Sequence, residues 1–198
     1  METVEHTMGD TFFNFFGRKK EGRELSNFWQ APVDLTIADG DESGKARLYS
    51  CGEAAFHGSK YLTLYQEIKE DTARKRQLGE YAEKFELRGE FGHLAPNEIK
   101  KKGGKRGLRM TPEEIKIWNV KRLEVQKQIC KYKFENDEKV RECLKATGQK
   151  ILIHPAMRVR ESNLHKCYWE GRAVKNERGE IEVKGRNMLG KIWMGMRC

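Results

Sequence analysis

Thr111-Pro112-Glu113-Glu114 narrows the fold more than any other stretch of the chain. A hydroxyl cap, a proline at the first helical position and two acids facing the helix dipole together open a helix. Apolar residues then recur at Ile115, Trp118, Val125, Ile129 and Tyr132, a three-four rhythm that holds if Arg122 is admitted to the series. So long a stripe has to be covered by other elements, and the chain is therefore built around helix packing. A second start lies upstream. Ser50 and Glu53 have the Ser-x-x-Glu spacing of a capping box, and Ala55, Gly58, Leu62, Tyr65 and Ile68 follow on one side. Thr72–Phe85 is predicted to be helical with weaker periodicity, and Asn136 or Asp137 begins a further helix that Gly148 ends.

Between the helices the pattern changes to short strands. Phe12–Phe16 reads as a buried strand, followed by the basic turn Gly17-Arg18-Lys19-Lys20. Val33–Ile37 and Ala46–Tyr49 flank a polar, glycine-bearing segment and read as a hairpin. Ile151–His154 reads as a strand, and Ala173–Val174 with Glu180–Val183 as a hairpin across Asn176–Gly179. The expected class is α+β, mainly helical, with small β hairpins. No repeat or linker divides the chain, so residues 1–10 are expected to be an extension and 11–198 one domain.

At 198 residues one core can close without a metal or disulfide staple. Charged residues make up 35%, but 10% aromatics and regular apolar spacing exclude intrinsic disorder. The net charge of +9 favours an anionic partner such as nucleic acid, nucleotide or phosphorylated substrate. The five cysteines (Cys51, Cys130, Cys143, Cys167, Cys198) contain no CxxC pair, and the five histidines no HExxH. They are read as reduced thiols in a cytosolic-type compartment, with no metal site and no cofactor expected. Nor does any stretch have the length and apolarity of a membrane span. Met1–Asp10 lacks a signal pattern, so a cytoplasmic protein is expected, with a nuclear one left open.

Two segments carry candidate chemistry. Lys100–Arg109 holds six basic residues in ten, broken by three glycines, and is read either as a solvated loop or as one that contacts phosphate. Glu53, His57 and Lys60 fall at i, i+4 and i+7 and stack along one side of their helix. They form either an acid–base group in a cleft or a capping glutamate on an exposed, salt-bridged face.

Six blocks in order then resemble the YbiA-like, or NADAR, family of N-glycosidases. They are Glu24-Leu25-Ser26-Asn27-Phe28; Glu53-Ala54-Ala55-Phe56-His57-Gly58-Ser59-Lys60-Tyr61; Trp118-Asn119-Val120-Lys121 with Phe134; Leu144–Gly148 leading into Ile151–His154; Tyr168-Trp169-Glu170-Gly171; and Gly185-Arg186-Asn187-Met188-Leu189-Gly190, closing with Met194 and Arg197. The resemblance implies a YbiA-like fold and hydrolysis of a bond between a ribose-type sugar and a nitrogenous base. One branch of the family acts on phosphoribosyl intermediates of riboflavin synthesis, and another removes ADP-ribose from guanine in nucleic acid. By this resemblance Glu53, Lys60 and Trp118 are the catalytic positions, and Asn27, Phe28, Trp169, Asn187 and Gly190 line the pocket with His57. Arg18 and Lys20 are expected to meet phosphate, in preference to the more distant Lys100–Arg109.

Departures from the family pattern are specific. Its histidine after the glutamate is Ala54, its glutamine is His57, and Lys166 stands where an acid precedes the Tyr-Trp block. Glu161 and Glu170 are the candidate replacements. In such chemistry Glu53 would stabilise an oxocarbenium-like sugar or activate water. Lys60 would either hold Glu53 ionised or attack a ring-opened aldehyde as a Schiff-base amine. Trp118 and Trp169 would stack on a flat base, the alternative for Trp118 being an ordinary core residue. The leading expectation is an ADP-ribosyl glycohydrolase with a nucleic-acid or nucleotide substrate. The alternatives are the riboflavin-intermediate activity and a binding module that does not cleave.

Overall fold

The computed structural model describes residues 11–35, 47–70, 72–104 and 106–197. The polar segment of the first hairpin lies outside these. The architecture is α+β and dominated by helices. The strands are β1 (Phe12–Asn14), β2 (Val33–Asp34), β3 (Leu48–Tyr49), β4 (Ile151–Ile153), β5 (Arg172–Lys175) and β6 (Ile181–Lys184). The helices are α1 (Gly52–Glu67), α2 (Ala73–Glu83), α3 (Pro96–Gly103), α4 (Pro112–Asn136), α5 (Glu138–Ala146) and α6 (Met188–Gly195), with 3-10 turns at Arg23–Leu25 and Glu161–Lys166.

The chain forms two compact units. Asn27–Asn136 is one, and the segments on either side of it form the other. The second crossing falls at Asp137, a single residue between two helices whose carboxylate caps α5 by accepting from Lys139 and Val140 N–H. A junction so short has no linker composition to read.

In the Asn27–Asn136 unit α1 is the centre, packed against α2, α3 and α4. With neighbours on three sides it is buried almost all round, including the side on which the sequence places its charges. Thr111 and Glu114 form the reciprocal capping box at the start of α4: Thr111 N–H donates to Glu114 Oε2 at 2.9 Å and Glu114 N–H to Thr111 Oγ1 at 3.2 Å. Arg74 of α2 then grips the same Glu114 carboxylate with Nε and Nη2, each at 2.7 Å. Trp118, Val125 and Ile129 face the core as the rhythm predicts. Ile115 does not, being 41% exposed: a stripe read from the first turn overestimates where coverage begins. β2 and β3 pair antiparallel, Val33 opposite Tyr49.

In the other unit β1 pairs with β4 in parallel, Phe12 opposite Ile151 and Asn14 opposite Ile153. β5 and β6 form the expected hairpin. Phe15, just beyond β1, is fully buried and stacks on His154. α6 packs on β4, and Trp193 Nε1–H donates to the Leu25 carbonyl at 2.8 Å, so the aromatic of the last helix also satisfies its polar edge.

Candidate active site

At the start of α1 the Ser50–Glu53 capping box does not form. Cys51 is the N-cap, no side chain caps the helix, and the Glu53 N–H donates instead to the Asn27 carbonyl at 2.9 Å. The Glu53 carboxylate is thereby left for another partner, His57 Nε2 at 3.2 Å. The expected exposed face is absent: Glu53, His57 and Lys60 are 8%, 9% and 5% exposed. Three ionisable side chains on one buried helical face cost free energy unless each is partnered, and a run of this kind is kept where it has a task.

Each of the three has a distinct state. Burial pushes the His57 pKa down against the Glu53 carboxylate, which pushes it up, so the imidazole is neutral at pH 7. Donation to Glu53 assigns its proton to Nε2. Nδ1 then carries the lone pair, and it is buried without a hydrogen-bond partner among the described residues. Burial also lowers the Lys60 ammonium to about 8, with the Glu53 charge opposing. Lys60 donates to the Gly103 carbonyl at the end of α3 and lies 4.3 Å from the Tyr61 ring centre.

Gly103 corrects the reading of the basic segment. Lys100–Gly103 is the last turn of α3 and not a loop, and it rests on the Glu53 helix. A Cβ on Gly103 would land on the His57 ring, so only glycine lets the α3 backbone lie this close. Lys100 stands 5.6 Å over the Phe28 ring. The segment set aside as distant is therefore adjacent to the candidate catalytic face, and sequence separation was the wrong guide.

Around this face, Trp118 sits in the hydrophobic core edge-on to Phe56, with centroids 5.1 Å apart, and Phe56 is edge-on to His57 at 5.6 Å. Asn27 is a clamp: its amide exchanges two hydrogen bonds with Gln126 of α4, at 2.9 and 3.0 Å, while its carbonyl holds Glu53. Gln126, 2% exposed, escaped the sequence reading. Its signal was an uncharged polar residue inside the apolar rhythm between Arg122 and Ile129.

The remaining candidates lie in the other unit. Arg18 and Lys20 are exposed on the turn after β1. Trp169 is half-buried and edge-on to Tyr168 at 4.8 Å. Carbonyls of Cys167, Tyr168, Trp169 and Glu170 accept the N–H groups of Arg186, Met188, Leu189 and Asn187, which closes the N-terminus of α6. Asn187, left-handed at φ 49°, donates from Nδ2 to the Leu152 carbonyl at 2.8 Å and accepts from His154 N–H at 3.1 Å. Its amide is thus a staple across β4. Gly190 is the close approach that completes it, since a Cβ there would strike the Leu152 carbonyl. Glu161 is exposed and paired with Lys184 at 2.9 Å; Glu170 is half-buried. No helix among the described residues is long and apolar enough to cross a membrane.

Against known families, the NADAR domain matches residues 14–198. The chain belongs to the NADAR family. In fold it is similar to the E. coli protein YbiA, whose NMR structure aligns with a TM-score of 0.54 at 20% identity over 98% of this chain and 87% of that one. No curated protein matches it. NADAR membership suggests a glycosidase-type function. The match spans both units, so the Glu53 helix and the Asn187 staple belong to one family pattern although they have different physical roles.

Proposed function

We propose that this NADAR protein is an N-glycosidase that removes ADP-ribose from guanine bases of nucleic acid. The observation that carries the reading is the buried Glu53–His57 pair with Lys60 on the same helical face. Cleaving a sugar–base bond builds positive charge on the anomeric carbon and negative charge on the departing nitrogen. The Glu53 carboxylate suits the first as a charge stabiliser or as base to the attacking water. In hydrolysis the water oxygen bonds to the anomeric carbon, the carbon–nitrogen bond breaks, and the water proton ends on the leaving base.

A lysine whose pKa is about 8 is partly the free amine near neutrality. It can therefore also add to C1 of the ring-opened sugar, which still carries the base as an imine: the base nitrogen leaves with a proton from the amine, and water then cleaves the Lys60 imine to free the sugar aldehyde and the amine. Lys100–Lys102, in the helix turn packed on the Glu53 helix, with Arg106 and Arg109 following in sequence, favour a polymer substrate, since an extended cationic surface gains affinity by releasing counterions from phosphates.

The test is mass spectrometry of an oligonucleotide carrying ADP-ribosylated guanine, and separately of phosphoribosylamino riboflavin intermediates, with wild type and Glu53→Ala. Release of ADP-ribose by wild type alone is the expected result. Cleavage of the small intermediates only would reassign the substrate. Tight ADP-ribose binding with no turnover on either would make the protein a binding module.

A further inference from the structure

The unit that carries β1 and β4 contains a cleft of about 340 Å³, close to the lower size of small-molecule sites. It is lined by Phe12 and Asn14 of β1, Pro155, Met157 and Arg158 of the segment after β4, and Arg172 of β5. Phe12 and Asn14 are two apart on one strand and so share a face. The walls are fixed by backbone pairing: Gly171 N–H donates to the His154 carbonyl at 2.8 Å, and Ala156 N–H to the Gly171 carbonyl at 2.9 Å.

Three polar side chains of this cleft keep hydrogen-bonding capacity among the described residues. Arg172 Nη2 donates to the Ala156 and Val159 carbonyls, both at 2.8 Å, which fixes the guanidinium and leaves Nε and Nη1 without a protein partner among the described residues. The side chains of Arg158 and Asn14 likewise make no hydrogen bond or ion pair there. Arg158 is in addition left-handed, at φ 61°, although it is not glycine. Such a conformation is strained for a residue with a Cβ and is concentrated at ligand sites. Met157, 56% exposed, leaves a large apolar side chain in solvent beside it.

We propose that this cleft binds a nucleoside monophosphate. Two guanidinium groups suit a phosphate: Arg158 can offer paired donors, and Arg172 single N–H groups from Nε and Nη1, its Nη2 being held by the two carbonyls. Phe12 and Met157 supply the apolar contact for a flat ring, and the Asn14 amide a donor and an acceptor for its edge. The assignment does not depend on the Glu53 chemistry.

The test is isothermal titration of the full chain with AMP, ribose 5-phosphate and adenosine. AMP binds more tightly than either half. Arg158→Gly removes one guanidinium while suiting the left-handed backbone, so its melting temperature stays at or above that of wild type. Its AMP affinity falls by about tenfold or more, one charge-assisted contact at roughly 1.5–3 kcal/mol. Phe12→Leu brings AMP down to the affinity of ribose 5-phosphate. Glu53→Gln leaves AMP binding unchanged, which separates this site from the glycosidase reading. Equal AMP affinity in wild type and Arg158→Gly, or no AMP binding at all, overturns the proposal. So does competition by a 5′-hydroxyl oligoadenylate, which carries only diesters, at lower concentration than AMP.

Discussion

Glu53 with His57 and Lys60 in one unit, and Asn187 with Gly190 in the other, are both polar motifs sealed from solvent. They differ in whether their hydrogen-bonding capacity is used. Both ends of the Asn187 amide are spent on the backbone of β4 and the residue after it, and Gly190 leaves out a Cβ that would strike that amide and the Leu152 carbonyl. On the Glu53 face His57 keeps an Nδ1 with no hydrogen-bond partner among the described residues, and Lys60 sits with its proton weakened. Burial alone therefore does not mark chemistry. Burial of several ionisable groups on one face, with an acceptor held in reserve, is the stronger mark, because a fold built only for stability gains nothing from it.

The sharpest way to break this contrast is to exchange stability and activity readouts between the two motifs. Glu53→Gln keeps shape and loses charge. Release of ADP-ribose from the modified oligonucleotide should fall by a factor on the order of 10² to 10⁴, while chemical denaturation moves little. Asn187→Ala should behave oppositely. It orphans the Leu152 carbonyl and the His154 N–H, costing about 2–4 kcal/mol in urea denaturation, with turnover per folded molecule near that of wild type. A large turnover defect in folded Asn187→Ala would mean that the staple also touches substrate.

Much of the fold was legible in the sequence because its signals are local. The Thr111 cap, the Asp137 cap and the Asn176–Gly179 turn each depend on residues within a few positions. Ser50 and Glu53 mislead for the opposite reason: Asn27, far away in sequence, takes the N–H that a capping box would use. The same holds for the site. Spacing along α1 places Glu53, His57 and Lys60 on one face, but only the docking of α2, α3 and α4 around α1 buries it. The approach of Gly103 to His57 is a tertiary contact with no local signature; a lysine-rich run broken by glycines reads equally as a loop.

Lys60 offers a smaller effect with a sign that can be checked. An unfolded lysine titrates near 10.5, and here the value is about 8. Between these values the unfolded chain holds more protons than the folded one, so wild-type stability rises with pH across that window. Below pH 8 the full penalty of burying the ammonium is present, roughly 3 kcal/mol at most. Lys60→Met should therefore gain on wild type at pH 7 and lose that advantage by pH 10.5, a trend read from paired denaturation curves. A pH-independent difference between the two would show that Lys60 is an ordinary solvated lysine. Gly103→Ala follows, at about 1–3 kcal/mol, since the added methyl forces either the His57 ring or the end of α3 to move. Its melting temperature should drop even though alanine is the better helix former.

The smallest expected effect concerns Glu161, one of the two candidate replacements for the acid missing at Lys166. It lies exposed on a 3-10 turn, its carboxylate held by Lys184, and that pairing keeps it ionised. A general acid has to carry a proton near neutral pH, and a carboxyl whose pKa is lowered by a neighbouring ammonium is displaced the wrong way. An exposed ion pair also contributes little to folding, because water and salt screen it. Glu161→Gln should thus leave both turnover and melting temperature within the scatter of repeated wild-type preparations. Should turnover instead collapse while the fold survives, the second acid would lie in the unit of β1 and β4, and spare hydrogen-bonding capacity would no longer suffice to find the catalytic groups.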